Sequence, residues 1–260
     1  MGLVEELINT LLTLKPENGE IRAEKVIIGL GYTCVLTENG YIGLCQTLLG
    51  ELNVRCCRIG NKAGTLAGSK MRDLVELSKS WDLGERIVGV ASINALSAPY
   101  IAESKGVKLL KGNLVNYIDL RKGDLVVMVG NMRPFKEPIK EKGCNLIVLE
   151  RSPHLMDDDT FPDLAAEDVV PKADVLIISG TSIANGTIDR LLKLAKRARE
   201  IALTGPSASA CPKVLFDNGI TVIGCVRVLE PFMVVKVVSE GGGTLALKPY
   251  LEQVVLRPSS

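Results

Sequence analysis

The second half of the chain repeats one pattern: a short apolar run stops at a small or polar residue, passes through a polar loop and re-emerges with helical periodicity. Leu125 to Gly130, Leu146 to Leu149, Val175 to Ile178 and Glu200 to Leu203 are the runs. They recur about every 25–30 residues, as βαβ units require. The most informative copy is Ala173 to Leu192, where Val175 to Ile178 ends at Ser179-Gly180 and gives way through Thr181, Ser182, Asn185, Gly186 and Thr187 to a helix from Ile188. That loop offers hydroxyls, an amide, two glycines and the unpaired N–H groups of a helix start, a set suited to an anion or a small polar ligand. The same residues also serve a plainer purpose, with Asn185 or Thr187 capping the helix and the glycines making the turn.

Three loops share this design: Gly130-Asn131-Met132-Arg133, Gly180-Thr181-Ser182 with Asn185-Gly186-Thr187, and Gly205-Pro206-Ser207. In a parallel sheet, the connection rules bring all three to the carboxyl edge, where such folds place ligands. Arg133 offers a bidentate fork for a carboxylate or phosphate, or else a surface ion pair. Glu150 follows Gly130 by about twenty residues, the place where doubly wound nucleotide-binding folds carry an acid for ribose hydroxyls. A full G-x-G-x-x-G is absent, which argues against a standard dinucleotide grip, and a pairing of Glu150 with Arg151 or Arg133 is the alternative. The basic run Lys193, Lys196, Arg197 and Arg199 reads as a solvated helix face.

The first half has a different texture. Leu3, Leu7, Ile8, Leu11 and Leu12 share one face of an amphipathic helix that ends before Pro16. Two β-rich runs, Lys25 to Leu30 and Tyr32 to Thr37, precede an Asn39-Gly40 turn into Tyr41 to Thr47, which predicts a hairpin. Helical patterns follow over Ser69 to Ser80 and Ile87 to Ser104. The chain thus divides into an α+β domain, residues 1–108, and an α/β ligand-binding domain, residues 109–260, whose Glu240-Gly-Gly-Gly243 loop is either mobile or a point of close approach.

Composition narrows the function. Lys and Arg total 31 against 30 Asp and Glu, a net charge of +1, and aromatics make up 4%, so neither a basic footprint nor stacking platforms for nucleic acid are present. The seven cysteines form no C-x-x-C pair, and most have apolar neighbours, as buried thiols in a reducing cytoplasm do. Adjacent Cys56 and Cys57 point to opposite faces if they lie in a strand, an awkward arrangement for joint ligation. The single histidine, His154, sits beside Asp157, Asp158, Asp159 and Asp163, either a metal loop or a solvated acidic one. No G-x-S-x-G elbow supports a hydrolase, acids replace the bases of a signal peptide at the N-terminus, and no run approaches the ~20 apolar residues of a membrane span.

The run Ala173 to Thr187, with Leu191-Leu192, Thr204-Gly-Pro-Ser207, Leu215-Phe216, Gly219, Gly224 and Gly241 to Gly243, resembles the C-terminal domain of a prokaryotic family associated with heavy-metal chelation. Gly29-Leu-Gly-Tyr-Thr-Cys-Val35 and Val90-Ala-Ser-Ile-Asn-Ala-Leu96 resemble its N-terminal domain. The resemblance implies an enolase N-terminal-like domain joined to a Rossmann-like domain, with a site in the cleft between them. It also implies a link to heavy-metal chelation or to metal cofactors of the cobalamin type, and it adds Asn94 to the cleft. The expectation is a cytoplasmic protein that holds a metal or a metal-chelating small molecule, with no nucleic acid or membrane partner and with room for a homo-oligomer. Two alternatives are a transferase using a nucleotide-like cofactor such as S-adenosylmethionine across Gly130 and Glu150, and a non-catalytic assembly subunit.

Overall fold

The apolar runs of the second half become the centre of an eight-stranded sheet. In the computed structural model, which describes residues 1–52, 62–103 and 106–259, β1 (Ala23–Ile28), β2 (Tyr32–Thr37) and β3 (Ile42–Gln46) form an antiparallel meander. The large sheet contains β4 (Val107–Lys111), β5 (Leu125–Val129), β6 (Asn145–Glu150), β7 (Thr160–Pro162), β8 (Val175–Ser179), β9 (Glu200–Thr204), β10 (Val222–Val228) and β11 (Leu251–Pro258). Its order is β4-β11-β10-β9-β8-β5-β6-β7, with the six strands from β10 to β7 parallel and β11 antiparallel to both of its neighbours. Counted from β5, those six strands lie in the order 3-2-1-4-5-6 of a doubly wound dinucleotide fold. The fold is α/β with two domains, a Rossmann-like mixed sheet and a smaller antiparallel one. Neither the short β7 nor the β11–β4 extension announces itself as a βαβ repeat.

The helices are α1 (Leu3–Leu14), α2 (Met71–Glu76), α3 (Leu83–Glu103), α4 (Arg133–Glu141), α5 (Ala166–Val169), α6 (Thr181–Ala184), α7 (Ile188–Leu194), α8 (Pro212–Asp217), α9 (Pro231–Ser239) and α10 (Thr244–Leu247). Side chains alternate across the large sheet as strand geometry demands. Val126, Met128, Val175 and Ile177 face a core with Phe135 and Ile139 of α4, while Val127, Leu176 and Ile178 face the opposite core. That second core continues into the N-terminal domain through Leu3, Leu7 and Leu11 of α1 and through α3. The two domains therefore share one apolar interior.

Helix α3 is the pivot of this arrangement. Every residue from Ile87 to Ser97 is buried, so it has no solvent stripe and behaves as a helix enclosed on all sides. Two glycines permit the enclosure. A Cβ on Gly43 of β3 would strike the backbone of Ala91 and Ala95, and one on Gly89 would strike the backbone of Ser78. The meander's other face is covered from the far end of the chain, where Val234, Val235 and Val238 of α9 pack with Leu247 on Tyr32, Cys34, Leu36, Ile42 and Leu44. The glycine loop after α9 is a close approach, since a Cβ on Gly31 would lie 2.8 Å from the Gly242 carbonyl oxygen.

Some local expectations shift. The Thr181–Ala184 segment is a single helical turn and not an open loop, and α7 stops at Leu194, before the basic run ends. Cys34, Cys45, Cys144, Cys211 and Cys225 are free and buried, while Cys56 and Cys57 lie outside the described residues. Among the described residues, no helix is long and apolar enough to cross a membrane.

Candidate functional site

A cleft of about 510 Å³ opens where the strand order reverses, between the carboxyl ends of β5 and β8. One wall belongs to the large sheet and carries Gly130, Asn131, Glu150, Arg151, Ser179, Thr181, Ser182, Asn185 and Thr187. The other wall comes from the N-terminal domain, with Leu30, Gly31, Gln46, Leu48, Leu49, Gly50 and Glu51. Backbone geometry makes room for both. Gly130 has φ +97° and a Cβ there would lie 2.9 Å from Cβ of Ser179, while Leu48 takes φ +53°, a left-handed conformation that a leucine seldom adopts.

Within the cleft most polar groups already have partners. Glu150, at the end of β6, is buried and accepts the backbone N–H of Asn131 at 2.8 Å through Oε2, and those of Arg151 and Ser152, each at 2.8 Å, through Oε1. It makes no ion pair with Arg133 or Arg151; its role is to hold the loop after β5 against the end of β6. Asn131 Nδ2 donates to the Leu155 carbonyl at 2.7 Å and to Asp157 Oδ2 at 3.0 Å. Ser179 and Thr181 pair their hydroxyls at 2.9 Å, and Asn185 Oδ1 accepts from the Thr187 hydroxyl at 2.8 Å. Two atoms stand apart: Ser182 Oγ and Asn131 Oδ1 are buried with no hydrogen-bond partner among the described residues. Such atoms cost free energy unless something satisfies them.

Glu51 reaches in from the N-terminal domain and donates nothing, but accepts from Arg151 Nη1 at 3.3 Å. Burial pushes its carboxyl above the usual carboxylate range, against the pull of Arg151 and Asn185, and neighbouring Glu150 adds to the rise. Arg151 is also held by Asp163, with Nε 2.8 Å from Oδ2. His154 lines the cleft, and the nearby Asp157 is taken up by Lys136 at 2.8 Å.

The expected site residues divide. Gly130, Asn131, Glu150, Thr181, Ser182, Asn185 and Thr187 come together at the cleft. Gly180 lies outside the lining, where a Cβ would come 2.4 Å from the backbone nitrogen of Ala208, and Gly186 turns at φ +78° beside Arg86. Arg133 sits on the exposed first turn of α4, 3.8 Å from Asp157, and outside the cleft lining. The third loop, Gly205, Pro206 and Ser207, belongs to a joint: Ser207 Oγ accepts the Gln46 N–H at 3.0 Å, and Asn94 Nδ2 donates to the carbonyls of Leu44 at 2.8 Å and Ser207 at 3.2 Å. The N-terminal wall, Leu48 to Glu51, was not foreseen as a site, nor was Arg151. The only signal for the wall is the run Gln46-Thr47-Leu48-Leu49-Gly50-Glu51, where a strand ends and exposed polar and apolar residues mix.

Two family profiles, both described as "putative heavy-metal chelation", match residues 113–257 and 13–97. The chain belongs to this family. An uncharacterised protein of Methanocaldococcus jannaschii is 31% identical over 233 residues, 88% of this chain and 87% of the relative. A family member of unknown function from Pyrococcus horikoshii has a crystal structure that aligns with a TM-score of 0.86 at 25% identity, covering 98% of this chain and 100% of that one. A second, from Desulfitobacterium hafniense, aligns at 0.79 and 24% identity over 98% of both chains, which shows the shared fold.

The family description raises the question of direct metal ligation, and the described residues do not fit it. No group of three or more His, Cys, Asp or Glu among them is placed to hold an ion. Cys34, Cys45 and Cys225 are free and buried, and burial pushes each thiol up to about 12.

Proposed function

We propose that this family member binds a small anionic or metal-chelating molecule in the cleft between residues 1–108, read as the enolase N-terminal-like domain, and residues 109–260. The observation that carries this reading is the buried, unpartnered hydroxyl of Ser182 in a cleft at the switch point of the sheet, with walls from both domains. A bound molecule supplies the missing hydrogen bond, and a chelating molecule supplies the metal donors that the described side chains lack. Heavy-metal chelation or metal-cofactor metabolism, the field suggested by the family description, is compatible with this division of labour.

Native mass spectrometry with elemental analysis of freshly purified protein tests it. A copurifying or added small molecule, with or without metal, should be bound by the wild type and weakened by Asn185→Ala. If nothing copurifies, nothing binds from a panel of carboxylates, phosphates and metal complexes, and Asn185→Ala behaves as wild type, the reading is wrong. The 3-2-1-4-5-6 order, with the cleft at its switch point beside Gly130, favours a second reading, a nucleotide-like cofactor such as S-adenosylmethionine. Calorimetric titration with that compound and with adenosine decides between the two, since wild type should bind either of them only under the second.

A further inference from the structure

The cleft contains a cation that the chain has already matched with a carboxylate from the opposite domain. Arg151 follows β6 directly, and its side chain is 36% exposed while that of Glu51 is 15% exposed. Its Nε and Nη2 both lie 2.8 Å from Asp163 Oδ2, and Nη1 donates to Glu51 Oε2 at 3.3 Å. A guanidinium has five N–H donors in a fork that fits a two-oxygen anion. These contacts occupy three of them. The Asp163 contacts are short and fix the group in the large-sheet domain, whereas the Glu51 contact is long and crosses the cleft.

We propose that Arg151 is the carboxylate receptor of the cleft and that Glu51 stands in its place until a carboxylate-bearing ligand displaces it. The inference rests on the cleft being a ligand site, and it names the chemistry recognised there. The placeholder itself points to the class, because a carboxylate oxygen, Glu51 Oε2, is what the chain puts against Nη1. A phosphate dianion would add more charge beside Glu51, Glu150 and Asp163, with Arg151 and His154 as the cationic or titratable partners in the lining. Asp163 is a positioning residue that orients the guanidinium. Arg133, the cation expected from the sequence, stays outside.

Displacement has a proton consequence. A ligand carboxylate entering beside three acids is best accommodated when Glu51 takes up a proton, and burial has already moved its carboxyl in that direction. Carboxylate affinity therefore rises as pH falls through the elevated Glu51 value. His154 lines the same cleft, so a His154→Gln variant separates its contribution from that of Glu51. A polycarboxylate held by one carboxyl at Arg151 keeps its other oxygens free for a metal.

Isothermal titration of the full chain with citrate, tricarballylate, malate and inorganic phosphate across a pH series from the ordinary glutamate range, about 4, up to about 8 tests this in wild type, Glu51→Gln, Arg151→Met and His154→Gln. At the upper end of the series, Glu51→Gln should bind a carboxylate of the panel about three- to tenfold tighter than wild type, the range expected for removing a partly exposed competing ion pair. The pH dependence of wild type should persist in His154→Gln and flatten in Glu51→Gln, and Arg151→Met should lose binding. The proposal is overturned if Glu51→Gln binds no carboxylate of the panel more tightly than wild type, if Arg151→Met binds as well as wild type, or if phosphate gains from Glu51→Gln while carboxylates do not. Because Glu51→Gln is conservative, the result does not depend on Arg151→Met folding. If a panel carboxylate responds to Asn185→Ala but not to Glu51→Gln, the cleft reading survives and this inference alone fails.

Discussion

Two loops at neighbouring strand ends make an instructive pair. Both the loop after β8, Gly180 to Thr187, and the loop after β9, Gly205 to Ser209, begin with glycine and carry hydroxyls, and both lie on the carboxyl edge of the same parallel sheet. The first lines an open cleft and leaves Ser182 Oγ without a partner among the described residues. The second is tied down at Ser207, which is bonded to Gln46 and to Asn94, while Ser209 and Asn94 line a smaller cavity of about 140 Å³. What stands opposite decides the outcome. β3 passes directly over the second loop, and only beyond it does the chain turn at Leu48 and leave space over the first. A polar strand-end loop is thus a site or a joint according to what covers it.

The tied-down half is where substitution should cost most. Alanine at Gly43 would drive its Cβ into the backbone of Ala91 and Ala95 on α3, and backbone cannot rotate away as a side chain can. Gly43→Ala should lose about 3 kcal/mol or more, the upper range of overpacking, and lower the melting temperature by roughly 10 °C. Circular dichroism melts check this; a loss of only a degree or two would mean that β3 is not pressed on α3. Asn94→Ala should rank next, because it leaves the buried carbonyls of Leu44 and Ser207 without their donor. About 2 kcal/mol is expected in urea denaturation, with the shift in midpoint larger than for any cleft substitution.

The expectation that Asn94 belongs to the cleft shows what sequence can carry. Its neighbourhood reads as part of a special segment because α3 packs so tightly, yet the amide spends both N–H groups on main-chain carbonyls of two domains. The β-run and helix pattern after residue 125 fixes the strands and their carboxyl edge, since period and burial are local properties. Asn39-Gly40 likewise announces the β2–β3 turn, where Gly40 takes φ +86°. Long-range facts are a different matter. Nothing local tells that β11 and β4 extend the sheet, that α9 returns to cover the meander, or that Glu51 meets Arg151 across a hundred residues. Those depend on which surfaces remain after the local elements have formed.

In the cleft the expected effects are smaller and one has the opposite sign. The Glu51 carboxyl is raised in the folded chain, so its ionisation opposes folding: this group's contribution is fully present below the unfolded value, about 4.3, and is lost as pH rises through the raised one. Glu51→Gln should therefore be the more stable protein near neutral pH, by about 0.5–1 kcal/mol or a rise of roughly 2 °C, and the gap should close in acid. Melts across a pH series measure it. A Glu51→Gln protein that is less stable than wild type at neutral pH would show that the ion pair with Arg151 outweighs burial, and that the two domains are latched by it.

Ser182 provides the smallest expected effect on the free protein and the sharpest contrast with Ser207. Its hydroxyl is desolvated and makes no hydrogen bond within the described residues, so Ser182→Ala removes a burden at no cost in contacts and should change stability by less than about 0.5 kcal/mol in either direction. Ser207→Ala, by contrast, leaves the Gln46 N–H unpaired and should lose about 1 kcal/mol or more. The order reverses once a ligand occupies the cleft. If a ligand pairs with Ser182 and not with Ser207, as proposed, then in the presence of a bound carboxylate Ser182→Ala should lose most of the ligand-induced rise in melting temperature while Ser207→Ala keeps it. A ligand that stabilises both variants equally would mean that the open loop is as inert as the tied-down one and that the unpaired hydroxyl is merely tolerated.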